Sequence, residues 1–249
     1  MNPAGTTINT RLIAPEGYIR LVDSEESFAA FLGNFPLKKA DSKVYLYNGN
    51  EKSRQDVHVA VLDIDVGKKD LQQCADAVMR LRAEYLYKIE AYKKISFNFT
   101  NGFKAEYNKW MQGYRIKVTG NKCTWYLAAK PGNTREIFNS YLEKVFSFAG
   151  TLSLSKELKK KKLSDIAVGD VFIKGGSPGH AVIVVDAAMH FKTQERVFCL
   201  AQSYMPAQNI HILKNPKNNS ISPWYSLKEG EILETPEWDF APGSLYTFD

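Results

Sequence analysis

Cys74 has the side-chain type and the setting of a candidate nucleophile. It falls at about the fourth position of an amphipathic segment that begins at Asp70, with Gln73 completing a capping pattern. Free backbone N–H groups and the positive end of the helix dipole favour a thiolate there, which predicts a pKa below the usual value of about 8.5. Cys74 also lies on the apolar stripe of that helix, so a buried structural thiol is the alternative interpretation.

His180 stands between the turn GGSPG (175–179) and the β-branched run AVIVV. A histidine that opens a strand can reach a cleft as a base, or it can simply hydrogen-bond to its own loop. Gln202 lies in the next strand candidate, where a side-chain amide could hold the imidazole in one tautomer. Ser203 and Gln208 remain alternatives for this third position, because the strand register cannot be fixed from the sequence.

The order Cys74, His180 and Gln202 resembles that of papain-like cysteine peptidases of the NlpC type. The strings GDVFI (169–173) and GHAVIVV (179–185) are similar to the paired strands of that family. The resemblance implies a nucleophile at Cys74, a base at His180 and an orienting or oxyanion group at Gln202. The context Gln-Cys-Ala-Asp and the long separation between Cys74 and His180 depart from the family pattern.

Longer strings resemble an uncharacterised bacterial family that is common in gut Bacteroidales. They are QQCADAVMRLRAEYLY, GGSPGHAVIVVD and LAQSYMPAQNIHILKNP. This resemblance implies no known activity, but it implies an envelope or exported setting, with a cytoplasmic one still open.

The papain-like order of Cys74, His180 and Gln202 leads us to expect a cysteine hydrolase that cleaves amide bonds, such as those in cell-wall peptides. The alternative is a non-catalytic envelope protein that binds glycan or peptide in an aromatic cleft.

Four further residues are candidates for substrate binding. Arg80, on the polar side of the Cys74 helix, could reach a substrate carboxylate, although an ion-paired surface is the simpler interpretation. Trp110 could wall the cleft and stack on sugar rings, or it could pack in the core. Ser177 and Tyr204 flank His180 in the turn and the following strand.

Composition excludes several other classes of function. The chain carries 33 basic and 27 acidic residues, a net charge of +6, but the lysines are scattered apart from 159–162. We therefore expect no nucleic-acid partner. The three cysteines lack the spacing of a zinc site, and GGSPG lacks the pattern of a nucleotide loop, so we expect neither a metal nor another cofactor. No stretch is apolar enough to span a membrane, and nothing fixes the oligomeric state.

The expected fold is α+β: a papain-like core in which the Cys74 helix packs on an antiparallel sheet, with a large insertion. We predict one domain over 1–249. It divides into an irregular arm (1–20), a core (58–90 and 165–213), an insertion (91–164) and a C-terminal segment that wraps the surface (214–249). Periodicity predicts helices at 27–35, 70–92 and 133–150. The predicted strands are 43–49, 58–67, 95–99, 114–118, 123–129, 170–174, 180–186 and 196–204.

Overall fold

A sheet of eight strands forms the centre of the molecule in a computed structural model that describes residues 1–21 and 24–249. Across the sheet the strands are β2 (His58–Val61), β11 (His211–Leu213), β10 (Arg196–Gln202), β9 (His180–His190), β8 (Val171–Lys174), β14 (Leu245–Thr247) and β7 (Lys159–Lys160); β1 (Tyr18–Arg20) pairs with β9 beside this series. Every pairing is antiparallel. The predicted α+β class with an antiparallel sheet is confirmed.

The helices and three small hairpins surround this sheet. The helices are α1 (Ile8–Arg11), α2 (Phe28–Gly33), α3 (Cys74–Lys88), α4 (Tyr107–Met111), α5 (Arg135–Phe146) and α6 (Thr151–Glu157), with single 3₁₀ turns at Tyr92–Lys94 and Leu163–Asp165. The hairpins pair β3 (Ser96–Asn98) with β4 (Lys104–Glu106), β5 (Tyr114–Thr119) with β6 (Lys122–Leu127), and β12 (Leu233–Glu234) with β13 (Asp239–Phe240).

Strand β9 is buried on both of its faces. Ala181, Ile183 and Val185 belong to the main apolar core, whereas Val182 and Val184 belong to a second apolar cluster. Helix α3 packs against β9 and β10 on the side of the main core. Residues of the C-terminal segment cover the second cluster. Because both faces are covered, the sequence of β9 is a continuous apolar run, as expected for a fully buried strand.

A bulge changes the predicted alternation along β9. The pairing with β10 shifts between Cys199 and Leu200, and beyond that point Ala187 faces the second cluster while Ala188 faces the main core. Asp186 is therefore out of phase with His180, although strict alternation places the two on one face.

Helix α3 begins four residues later than predicted. Gln73 is its N-cap, and the Gln73 backbone N–H donates to Asp76 Oδ2 at 3.1 Å. Asp70 does not cap the helix, because its Oδ1 accepts hydrogen bonds from Gln73 Nε2 and from the backbone of Ala207. Cys74 is consequently the first residue of the helix rather than the fourth.

Both chain ends differ from the predicted segments. The expected irregular arm contains α1 and β1, which joins the central sheet through β9. The expected surface wrap at 214–249 includes β14, which lies inside the sheet between β8 and β7. Pro, Asn and Trp residues suggested a loop there, yet tertiary pairing overrides this local composition.

The predicted strand at 43–49 is wrong for a local reason. Side-chain amides, rather than a neighbouring strand, bind part of its backbone. The Val44 N–H donates to Gln55 Oε1, and the Tyr45 N–H donates to Asn209 Oδ1. Only isolated bridges remain there, between Tyr45 and Glu51 and between Leu46 and Gln208.

Within residues 1–21 and 24–249, no helix combines the length and the apolar character that a transmembrane span requires.

The ion pair between Arg20 and Asp186 fixes β1 to the sheet, which leads to a stability prediction. Asp186 is 3% exposed, and Arg20 contacts it with both Nε and Nη2. Replacing Arg20 with Ala leaves a buried carboxylate unpaired, so we expect a loss of about 3–5 kcal/mol in the free energy of unfolding by urea. As a control, Lys43→Ala breaks the exposed pair with Glu51 and should cost less than about 1 kcal/mol. Equal losses in the two variants would contradict this role for Arg20.

Candidate functional site

A cavity of about 690 Å³ lies where the start of α3, the start of β9 and the insertion meet. Cys74, Ser177, His180 and Tyr204, four of the predicted site residues, line it. The insertion contributes residues 149–152, which lie at the start of α6 and just before it. The cavity therefore gathers residues that are more than a hundred positions apart in the sequence.

The Cys74 thiol lies at the first residue of α3 and is partly exposed. The backbones of Ala75 and Ala181 favour its thiolate and lower its pKa, which indicates that the sulfur lies beside the start of β9. Burial nevertheless raises the pKa of Cys74 to about 11, and the nearby charge of Asp76 adds to this rise. The predicted lowering of the pKa is wrong, because the cost of burying a thiolate exceeds the stabilisation from the helix N-terminus.

The His180 ring is enclosed at the first residue of β9, with 2% of the residue exposed. Three aromatic rings surround it, with centroids 4.9 Å away at Tyr204, 5.4 Å at Trp238 and 5.8 Å at Phe240. Burial lowers the pKa of His180 to about 4; the hydrogen bond with Gln202 opposes this shift and the charge of Lys52 adds to it. The imidazole is therefore neutral at physiological pH.

Gln202 is the member of the three candidates that contacts His180. The distance from Gln202 Oε1 to His180 Nε2 is 2.8 Å. Ser203 instead lies with its hydroxyl 2.8 Å from the Gln72 carbonyl oxygen and 2.9 Å from that of Gln208. The Gln208 amide donates to the carbonyl oxygen of Pro206. Ser203 and Gln208 therefore organise the loop after β10, and Gln202 positions the ring.

Cys74 and His180 reach the cavity from different elements, the start of α3 and the start of β9. Ala181 faces the core beneath α3, whereas His180 continues the opposite face and packs against Trp238 and Phe240 of the C-terminal segment. The two side chains meet the same cavity at the end of the sheet, where the strands stop.

Two predicted binding residues lie outside this cavity. Arg80 pairs with Glu84 at 2.7 Å and donates to Gln72 Oε1, so its guanidinium is occupied within the protein. Trp110 is 5% exposed and donates through Nε1 to Ser140 Oγ at 3.2 Å. The simpler interpretations, an ion-paired face and a core aromatic residue, apply to these two positions.

Sequence reasoning missed Asp76 and Trp238, which also line the cavity. Asp76 is 6% exposed, and burial raises the pKa of its carboxyl well above the usual range. Asp76 had a sequence signal, because an acidic residue three positions after an N-cap is a known capping pattern. Trp238 had none, since it belongs to a segment that the composition assigns to the surface.

No metal site is formed by the residues that the structure describes: across 1–21 and 24–249, His, Cys, Asp and Glu side chains form no group of three suited to a metal ion. The cavity presents a thiol at Cys74, an imidazole at His180 and polar side chains beside them.

The raised pKa of Cys74 predicts the pH dependence of its alkylation. Because iodoacetamide reacts with the thiolate, the rate should keep rising about tenfold per pH unit to pH 10, toward a midpoint near 11. A Cys123→Ser background removes the other partly exposed thiol, and the fully buried Cys199 should stay unmodified. A rate that levels off by pH 8.5, or a thiolate already present at pH 6, would contradict this environment.

The comparisons with known proteins give a family and nothing closer. No curated protein matches the chain, and neither does any solved structure. The family described as a domain of unknown function (4846) matches residues 8–246, from α1 to β14, and so includes every element that lines the cavity. The chain therefore belongs to this family of domains of unknown function.

Proposed function

We propose that the protein is a cysteine hydrolase that cleaves an amide bond, with a papain-like arrangement of Cys74, His180 and Gln202. The observation that carries this proposal is the single cavity that holds Cys74 at a helix start and His180 hydrogen-bonded to Gln202 at 2.8 Å. A nucleophile, a base and a group that orients the base are the parts that covalent amide hydrolysis requires.

The proposed reaction starts from a neutral thiol and a neutral imidazole. His180 takes the proton of Cys74 as the sulfur attacks the substrate carbonyl carbon. Backbone N–H groups in the first turn of α3, which the helix itself leaves without partners, stabilise the oxyanion. The protonated imidazole then gives its proton to the departing amine. Water, deprotonated by His180, hydrolyses the thioester and releases the acid and the free thiol.

The walls of the cavity favour a peptide-like ligand. Asp76 Oδ1 and Trp238 Nε1 are buried polar atoms without a hydrogen-bond partner among the described residues, and both side chains line the cavity. Asp76 Oδ1 can accept a hydrogen bond, or donate one when the carboxyl is protonated, and Trp238 Nε1 can only donate. A ligand with amide N–H and C=O groups can therefore satisfy both atoms.

The charge of the cavity walls further limits the class of substrate that the cavity can bind. Asp70 and Asp76 are the acidic lining residues, and within 1–21 and 24–249 no lysine or arginine lines the cavity. This lining favours neutral or cationic segments over anionic ones. We further propose that the substrate is a cell-wall peptide and that the protein acts in the cell envelope.

One observation favours the alternative, a protein that binds peptide or glycan without cleaving it. The pKa of Cys74 is raised to about 11 and that of His180 is lowered to about 4, so the resting pair is uncharged. A binding cleft with Tyr204 and Trp238 in its walls needs no activated thiol.

Labelling with a peptide vinyl sulfone separates the two functions. The wild type should be labelled at Cys74, the Cys74→Ala variant should not be labelled, and His180→Ala should react about 10²–10⁴-fold more slowly because it lacks the base. Mass spectrometry identifies the modified residue, and release of free amine from a peptide mixture measures turnover.

Cys123→Ser is the matched control, since it removes a partly exposed thiol outside the cavity and should label like the wild type. Equal labelling of the wild type, Cys74→Ala and His180→Ala would exclude the hydrolase. Peptide binding by calorimetry that is identical in wild type and Cys74→Ala, without turnover in either, would establish the binding function instead.

A further inference from the structure

We propose that Glu237 and Lys52 are positioning residues that set the tautomer of His180 by fixing the amide of Gln202. The inference rests on the proposed function, in which His180 acts as the base. It adds two residues from distant parts of the chain: Lys52 precedes β2, and Glu237 lies in the turn between β12 and β13.

An unbroken series of contacts joins these residues to the imidazole. Lys52 Nζ lies 2.6 Å from Glu237 Oε1, and both side chains are buried, at 7% and 9% exposure. The other carboxylate oxygen, Glu237 Oε2, accepts a hydrogen bond from Gln202 Nε2 at 2.8 Å. Gln202 Oε1 then lies 2.8 Å from His180 Nε2.

The carboxylate decides which way the Gln202 amide points. A side-chain amide has a donor end and an acceptor end, whereas a carboxylate only accepts. The NH₂ group of Gln202 must therefore face Glu237, and its carbonyl oxygen must face His180. Reversing the amide would place an oxygen against a carboxylate oxygen and leave two buried acceptors in contact.

The orientation of the amide in turn decides where the imidazole carries its proton. Because Gln202 Oε1 accepts, His180 Nε2 is the protonated nitrogen and Nδ1 keeps its lone pair. A neutral imidazole can take a proton only at the nitrogen that has a lone pair. The tautomer fixed in this way leaves Nδ1 as the one nitrogen able to receive the proton of Cys74.

Lys52 makes the buried carboxylate possible. An unpaired carboxylate with so little exposure is strongly disfavoured, and a protonated acid could donate to Gln202 and allow the reversed amide. The same ammonium group lies 5.4 Å from the centre of the Tyr204 ring, which packs on His180. The Tyr204 hydroxyl donates to the Glu237 carbonyl oxygen at 3.4 Å. Through Tyr204, Lys52 and Glu237 thus also help to enclose the His180 ring.

The test uses Glu237→Gln and Lys52→Met, which keep the approximate shape of each side chain. Two-bond ¹H–¹⁵N correlation spectra of the imidazole distinguish Nε2–H from Nδ1–H without any turnover. We expect Nε2–H in the wild type, and a mixture or Nδ1–H in both variants. On the best peptide substrate we expect kcat to fall about 10–100-fold with KM nearly unchanged, within the range that a general base contributes.

Two matched variants separate positioning from general stability. Lys52→Arg keeps the charge and the donors, so it should keep the Nε2–H tautomer and most of kcat. Lys161→Met breaks another ion pair to a buried carboxylate, that with Asp170, and should leave the His180 tautomer unchanged. Circular dichroism of all four variants reports whether each remains folded.

The outcomes distinguish this inference from the proposed function. Folded Glu237→Gln and Lys52→Met proteins that keep Nε2–H and full kcat would overturn the inference. A loss of Nε2–H in these variants, in a protein whose wild type shows no turnover, would support the positioning role and reject the hydrolase. A tautomer change in Lys161→Met equal to that in Glu237→Gln would also overturn the inference, since any buried ion pair would then have the effect.

Discussion

The hydrogen bond between His180 and Gln202 is the interaction on which the candidate site depends. It exists because β9 and β10 are antiparallel neighbours, with Ala201 opposite Ile183, so that Gln202 lies on the face of His180 near the end of the sheet. Antiparallel pairing fixes the separation of such diagonal residues to within reach of one long side chain. The buried strands beneath the site therefore hold the ring and its partner together.

Burial governs the electrostatics of this site more than any single charge does. It raises the pKa of Cys74 and lowers that of His180, so both groups favour their neutral forms. The ion pair of Lys52 and Glu237 is buried close by, and it is tolerated because each charge has its counter-charge and the carboxylate has a further donor in Gln202. The site thus consists of an uncharged thiol and an uncharged imidazole, and the buried Lys52–Glu237 ion pair contacts the imidazole through Gln202.

The parts of the fold that the sequence predicts well are those with strong local patterns. The α+β class, the strands that include 171–174 and 196–202, and the helix that carries Cys74 follow from periodicity and turn residues. The register of β10 could not be predicted because it depends on the neighbouring strand, so Ser203 and Gln208 remained alternatives to the predicted Gln202. The helix start moved from Asp70 to Cys74 because Asp70 binds the Ala207 N–H, a contact between segments far apart in the chain. Trp238 and Glu237 could not be predicted because contacts with distant segments also place them at the site. The local sequence around them, rich in Pro and Asn, does not indicate that it closes a buried site.

In the proposed mechanism, Cys74 and His180 act together on a carbonyl group in one cavity. Rapid-quench mass spectrometry with a peptide ester tests this most directly, because a thioester on the nucleophile accumulates before hydrolysis. We expect a transient acyl group on the peptide that contains Cys74 in the wild type, and its near absence in His180→Ala over the same milliseconds. An acyl group on Cys123, equal acylation in both proteins, or none in the wild type would contradict it.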